Sequence, residues 1–196
     1  MVPDAPTVDD IAQLRDALAS HILRTPLLRC LALERLMPAE TRVFGKLEFL
    51  QRTGTFKARG ALAVLQGLSD RQRALGVTAV SAGNHAIATA FAAQVTGSSA
   101  KIVMISTANR ARIDACRAYG AELVMVDDVH EAFAVAEKIQ RDEGRFLVHP
   151  FEGPAIASGT GTLGLEICEQ CASFDAVVVP VGGGGLIAGI ANAVRQ

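Results

Sequence analysis

From Gly76 onward the chain repeats one pattern, a short and continuously apolar run followed by a longer stretch of helical periodicity. The apolar runs are Val77 to Val80, Ile102 to Ile105, Leu123 to Val126, Phe146 to Val148 and Val177 to Val179. Between them, Ala86 to Val95, about Arg110 to Tyr119, His130 to Arg141 and Thr162 to Cys171 read as helices. A last helix follows Gly182 to Gly185. Strands that are apolar along their whole length are buried on both faces. The pattern therefore predicts an α/β fold with parallel-type sheets covered by helices. Right-handed crossovers then place the loops after successive strands along one sheet edge, where open α/β folds bind their ligands.

The first third of the chain is less regular. Thr7 and Asp10 resemble a capping box ahead of Val8, Ile11, Leu14, Leu18 and Ile22, which recur at helical spacing. Thr25-Pro26 ends that helix, because the residue before proline avoids the α region. Arg42 to Glu48 reads as a strand, and Lys57 to Leu68 as a helix that Gly60 weakens. The run from Gly76 to His149 is a compact βαβαβαβ unit by itself, and Pro150 opens a polar crossing point behind it. The expected organisation is an N-terminal part of a larger domain at 1–75, a small α/β domain at 76–150, and a return to the larger domain at 151–196.

Composition mainly excludes. With 19 basic and 20 acidic side chains in 196 residues the formal net charge is −1, which offers nucleic acid or an anionic membrane no electrostatic footing. Arg110 and Arg112 read as a solvated helix face. No apolar run approaches the roughly 20 residues that cross a bilayer. The opening MVPDAPTVDD is neither basic nor apolar, unlike a secretory signal. Cys168 and Cys171 form a lone CxxC with no second pair or histidine pair to complete a zinc site, so no metal is expected. The four cysteines read as reduced thiols of a cytoplasmic protein.

Three loops carry the candidate chemistry. Gly182, Gly183, Gly184 and Gly185 follow an apolar strand and open a helix, so backbone N–H groups and the positive helix end can converge on an anion. The spacing is not GxGxxG and no P-loop lysine follows. A turn chosen for tight helix–strand packing is the alternative; the strand–glycine–helix context favours the anion site. Thr53-Gly54-Thr55-Phe56-Lys57 places a lysine at a helix start, where the dipole disfavours its charge and burial would favour the neutral amine used in Schiff-base chemistry. Taken alone, such a lysine is more often solvated. Ser81-Ala82-Gly83-Asn84-His85 is a second loop of small residues before a helix, with an amide that both donates and accepts. His85 suits a structural hydrogen bond better than catalysis.

Together these loops resemble a known family. Leu50 to Ala61 is similar to the lysine motif of the serine/threonine dehydratases and serine racemases, Ser81 to His85 to their substrate loop, and Gly182 to Gly185 to their phosphate loop. Phe151-Glu152, Gly159 and Gly161-Thr162 through Glu166 also resemble the family's connecting stretch. The resemblance implies a tryptophan-synthase-β-like fold with a small domain inserted in a larger one, and pyridoxal 5'-phosphate as cofactor. It implies Lys57 as the covalent attachment point and α-proton base, Asn84 at the cofactor's ring hydroxyl, Phe56 beside the ring and Gly182 to Gly185 at the phosphate. Ser81, Ala82, Gly83, Asn84 and His85 would surround the carboxylate of a small hydroxy amino acid. Racemases of this kind place a serine where Ala82 stands, so the expected reaction is elimination to a 2-oxo acid and ammonia. Ser106 to Arg110 departs from the family's proline- and lysine-bearing segment. The chain ends inside the helix after the phosphate loop, and the expectation is a larger domain that is incomplete at its C-terminal end. A homodimer is expected for the complete fold.

Overall fold

The computed structural model describes residues 5–195; Met1 to Asp4, part of the opening stretch compared above with a secretory signal, and Gln196 lie outside them. The repeating pattern becomes a four-stranded parallel sheet. Its strands are β3 (Val77–Val80), β4 (Ala100–Ile105), β5 (Glu122–Val126) and β6 (Phe146–Leu147), in the spatial order β5-β4-β3-β6. Before it come helix α1 (Val8–Leu18), strand β1 (Leu27–Arg29), the single turn α2 (Leu31–Glu34) and strand β2 (Phe44–Lys46). Helices α3 (Lys57–Gln66) and α4 (Asp70–Leu75) follow. The sheet is threaded by α5 (Asn84–Val95), α6 (Arg110–Ala118) and α7 (Val129–Glu143), and the chain closes with α8 (Pro154–Gln170) and α9 (Gly185–Arg195).

Side chains alternate strictly across the sheet, as a two-residue period requires. Ile102 and Met104 of β4 join Val77 and Ala79 of β3 in one core with the alanine face of α5 and with Cys116 of α6. Val103, the intervening residue, turns to the other face and packs with Val126 and with Ala132, Ala136 and Ile139 of α7. Burial pushes the Cys116 thiol up to about 11, so it behaves as a small core hydrophobe.

The strand order fixes where a ligand can sit. The chain steps outward from β3 through β4 to β5, then returns by α7 to lay β6 on the other side of β3. Reversal of strand order opens a crevice at the carboxyl ends of β3 and β6, the usual ligand position in open α/β sheets. Residues 81–85 leave β3 at that crevice, and residues 148–151 leave β6 there.

A second layer packs beside this sheet. Helix α8 lies against α1, α3 and α9. Its crossing with α3 is so close that a Cβ at Gly159 would stand 2.5 Å from the Arg59 carbonyl oxygen. Beneath it lies a largely buried ionic cluster. Arg59, fully buried, donates through Nε and Nη2 to Glu48 at 2.9 Å each and through Nη1 and Nη2 to Glu166 at 2.7 and 3.0 Å. Nη1 also donates to Thr162 Oγ1 at 3.0 Å, and Lys46 Nζ donates to Glu166 at 2.5 Å and to the Thr25 carbonyl at 2.7 Å. Two cations meet two carboxylates, so the buried set is neutral.

Several elements differ from the sequence reading. Val177 to Val179 is not a strand: a strand needs a ladder partner, and none lies beside it among the described residues. The segment still alternates, with Val177 and Val179 packed on Leu163, Ile167 and Ile190 while Val178 is 95% exposed. The helix read as Thr162 to Cys171 begins eight residues earlier at Pro154, whose ring suits the first helical turn. Helix α1 stops at Leu18, well before Thr25-Pro26, and Ile22 lies beyond it in a turn, bonded to the Leu18 carbonyl at 3.0 Å and packed against the core. The strand read over Arg42 to Glu48 contracts to β2, which pairs antiparallel with β1 instead of joining the parallel sheet.

Candidate active site

Lys57 is the first residue of α3, and its backbone N–H donates to Thr55 Oγ1 at 3.2 Å, so that hydroxyl serves the otherwise uncapped helix start. Its side chain is half-buried and turns into the crevice, where Nζ donates to the Pro150 carbonyl at 2.5 Å. Burial holds the amine below the ordinary lysine range. The Phe56 ring lies 5.3 Å from Nζ and screens that side. A lysine whose charged form is disfavoured by burial beside a helix N-terminus is suited to act as a nucleophile or base.

Across the crevice, His85 is 5% exposed, and its Nε2 stands 2.9 Å from the Val148 carbonyl. A carbonyl can only accept, so Nε2 carries the proton. Burial drives this imidazole down to about 4, against the raising effect of the Val148 carbonyl and with smaller lowering contributions from Lys57 and His149. It is neutral at physiological pH and too weak a base to take a proton there. Ser81, Ala82 and Gly83 are half-buried and Asn84 is exposed at the start of α5. Ser81 Oγ accepts from the Gly83 N–H at 3.1 Å, which sets the loop's curvature.

The four glycines lead into α9, with Gly182 and Gly183 exposed and Gly185 buried as the first helical residue. No neighbour stands within 4 Å of where a Cβ at Gly182 or Gly184 would lie, so those faces are open. Gly185 accepts a hydrogen bond from Thr160 Oγ1 at 2.8 Å through its carbonyl, which ties the helix start to α8.

Phe56, Lys57, His85 and Gly185 thus line one cleft, together with Pro150 and Phe151. Ser81 to Asn84 and Gly182 to Gly184 belong to the loops at its rim and are not part of that lining. Sequence reasoning gave Pro150 and Phe151 no side of the cleft. A backbone carbonyl that receives the lysine leaves no side-chain signature. Arg112, read as solvated helix surface, is exposed, and its Nη1 also donates to the Ala82 carbonyl at 3.2 Å. Arg110 does lie on the exposed face, paired with Asp114 at 3.1 Å. Among the described residues, no group of three or more His, Cys, Asp or Glu side chains could hold a metal ion. No described helix is long and apolar enough to cross a membrane.

Comparison with known proteins agrees with this geometry. The family model described as pyridoxal-phosphate dependent enzyme matches residues 18–196. A phenylserine dehydratase from Ralstonia pickettii is 50% identical over 190 residues, covering 97% of this chain and 58% of that protein. An L-threonine ammonia-lyase from Thermotoga maritima is 41% identical over 191 residues, covering 97% of this chain and 47% of that protein. The solved structure of maize serine racemase superimposes with a TM-score of 0.92 at 34% identity, covering 97% of this chain and 58% of that one. The chain therefore spans about half the length of the curated relatives it matches. It belongs to the pyridoxal-phosphate-dependent enzyme family and has that family's α/β fold.

The residues present fit the family's cofactor. A half-buried, pKa-lowered amine suits an aldehyde, and an open glycine loop at a helix N-terminus suits a phosphate. The Phe56 ring in the cleft suits packing beside an aromatic ring.

Proposed function

We propose that this member of the pyridoxal-phosphate-dependent enzymes is a dehydratase, or ammonia-lyase, that converts a small β-hydroxy amino acid such as serine or threonine to a 2-oxo acid and ammonia. One observation carries the reading above the others: the amine of Lys57 enters the crevice at the switch in strand order, between the loop that follows β3 and the glycines that open α9. Relatives named for dehydratase and ammonia-lyase activity support it.

In this reading Lys57 is the covalent attachment point, and Gly182, Gly183, Gly184 and Gly185 hold the phosphate through backbone N–H groups. Asn84 meets the ring hydroxyl and Phe56 packs beside the ring. Ser81, Ala82, Gly83, Asn84 and His85 receive the substrate carboxylate, mainly through the backbone. Pyridoxal phosphate, when bound, supplies a sink for the electron pair left at the substrate α-carbon. Lys57 Nζ, whose charged form is disfavoured by partial burial, takes the α-proton. Loss of the β-hydroxyl as water yields an enamine that hydrolyses to the 2-oxo acid and ammonia. His85 keeps its proton on Nε2, held by the Val148 carbonyl, and orients the loop without titrating.

A racemase is the second reading, favoured by the likeness to maize serine racemase. Racemisation needs a proton donor on the face opposite Lys57, and Ala82 offers only a methyl group at the loop position the resemblance assigns to that role. Elimination is therefore preferred. The reading extends to a cytoplasmic homodimer: the exposed Leu31, Leu33 and Leu36 provide apolar surface for association, and the four cysteines are free thiols.

The test is release of 2-oxo acid and ammonia from serine, threonine and phenylserine by protein loaded with cofactor. Steady release from at least one is expected, with little change in the chirality of unreacted substrate. Inversion of substrate without release of ammonia would replace this reading by the racemase.

A further inference from the structure

The turn between β6 and α8 touches all three motif loops within four residues. The Val148 carbonyl stands opposite His85 Nε2 at 2.9 Å, and the Pro150 carbonyl accepts from Lys57 Nζ at 2.5 Å. Phe151 reaches the third loop. A Cβ at Gly183 would overlap its ring, and one at Gly185 would overlap its carbonyl oxygen. The glycines at 183 and 185 are thus needed for this close approach, independently of any anion.

Phe151 is itself held. His149 Nδ1 accepts from the Glu152 N–H at 2.9 Å and from the Phe151 N–H at a longer 3.4 Å. The two rings meet edge to face, 4.6 Å between centroids and 84° between planes. By contrast, the segment leading into the glycines is held by the packing of Val177 and Val179 on Leu163, Ile167 and Ile190 and not by a strand ladder. Val177 to Val181 has no strand partner among the described residues, Val178 is 95% exposed and Val181 63%. The far end of the loop is tied to α8 through Thr160 and Gly185. Its middle rests on the Phe151 ring.

We propose that Phe151 is a positioning residue which sets the glycine loop 182–185 in register with Lys57, so that the phosphate of the cofactor is held while its aldehyde meets the amine. The proposal rests on the cofactor site described under Proposed function. It makes a distinction that a general stabilising role does not: Phe151 serves the phosphate end of the ligand and not the aldehyde end.

The experiment uses Phe151→Ala, Phe151→Leu, Gly183→Ala and the double variant Phe151→Ala/Gly183→Ala. Each is titrated spectrally with pyridoxal 5'-phosphate and with pyridoxal, which lacks the phosphate, and amide hydrogen exchange over residues 182–186 is followed without ligand. Phe151→Ala is expected to weaken the phosphorylated ligand by about tenfold, while pyridoxal affinity stays within about twofold. Exchange at 182–186 accelerates, and Phe151→Leu, which keeps most of the bulk, recovers much of both effects. Gly183→Ala weakens the phosphorylated ligand in the wild-type background and does so much less once the ring is removed. Equal losses for the two aldehydes, or unchanged exchange at 182–186 in Phe151→Ala, would overturn the proposal. Failure of wild-type protein to bind either aldehyde would instead sink the site assignment, and the exchange result would then alone uphold or overturn the positioning role.

Discussion

Replacing Glu166 by glutamine tests whether the buried ionic cluster under α3 is held together by its charge balance. Glu166 accepts from Arg59 Nη1 at 2.7 Å, from Arg59 Nη2 at 3.0 Å and from Lys46 Nζ at 2.5 Å. Its side chain is 3% exposed, that of Lys46 7% and that of Arg59 0%. Glutamine keeps the shape and one acceptor oxygen but leaves Arg59 and Lys46 facing Glu48 alone, a net positive charge in a buried site. Breaking one partner of a buried pair costs about 3 to 5 kcal/mol. With a urea dependence of about 2 kcal/mol per molar, the unfolding midpoint should fall by at least about 1.5 M. Adding Lys46→Met removes the surplus cation, so the double variant should be more stable than Glu166→Gln alone. As a reference, Arg110→Ala breaks an exposed pair with Asp114 and should cost no more than about 0.5 kcal/mol. A Glu166→Gln midpoint as close to wild type as that of Arg110→Ala would refute the reasoning, as would further destabilisation by Lys46→Met.

Two other consequences follow from the packing and the titration of the cleft. Gly159→Ala should cost about 1 to 3 kcal/mol in urea unfolding, because its Cβ would stand 2.5 Å from the Arg59 carbonyl and force α8 away from α3. His85 is held at about 4, below its ordinary value of 6.5, so between those values the unfolded chain binds a proton that the folded chain refuses. Stability should therefore be complete above pH 6.5 and fall as the pH drops towards 4, by about 3 kcal/mol in all; a His85→Gln variant should show a shallower pH dependence by about one proton.

The parallel sheet was legible because each strand is apolar on both faces and each crossover helix has its own periodicity. Val177 to Val179 carries the same signal and fails for a reason no local pattern contains: a strand exists only beside another. Helix α8 was recognised late because Ala155, Gly159, Gly161 and Gly164 dilute its apolar stripe, although Gly153-Pro154 marked its start. Helix α4 was missed despite a capping box of Ser69 and Gln72, a visible signal that reading for apolar periodicity passed over. In the site, the lysine, substrate and glycine loops stood out as motifs. The turn 148–151 that touches all three did not, since it acts through two backbone carbonyls and one ring. Arg59 and Glu166, 107 residues apart, show in sequence only as two ordinary charged residues.

The most direct test of the account is the visible absorbance of the purified protein with pyridoxal phosphate, before and after borohydride, for wild type and Lys57→Ala. The account predicts a band in wild type that borohydride removes while fixing the cofactor covalently to Lys57, and no such band or label in Lys57→Ala. An equal band and equal covalent label in both proteins would contradict it, because the aldehyde would then be held by another amine.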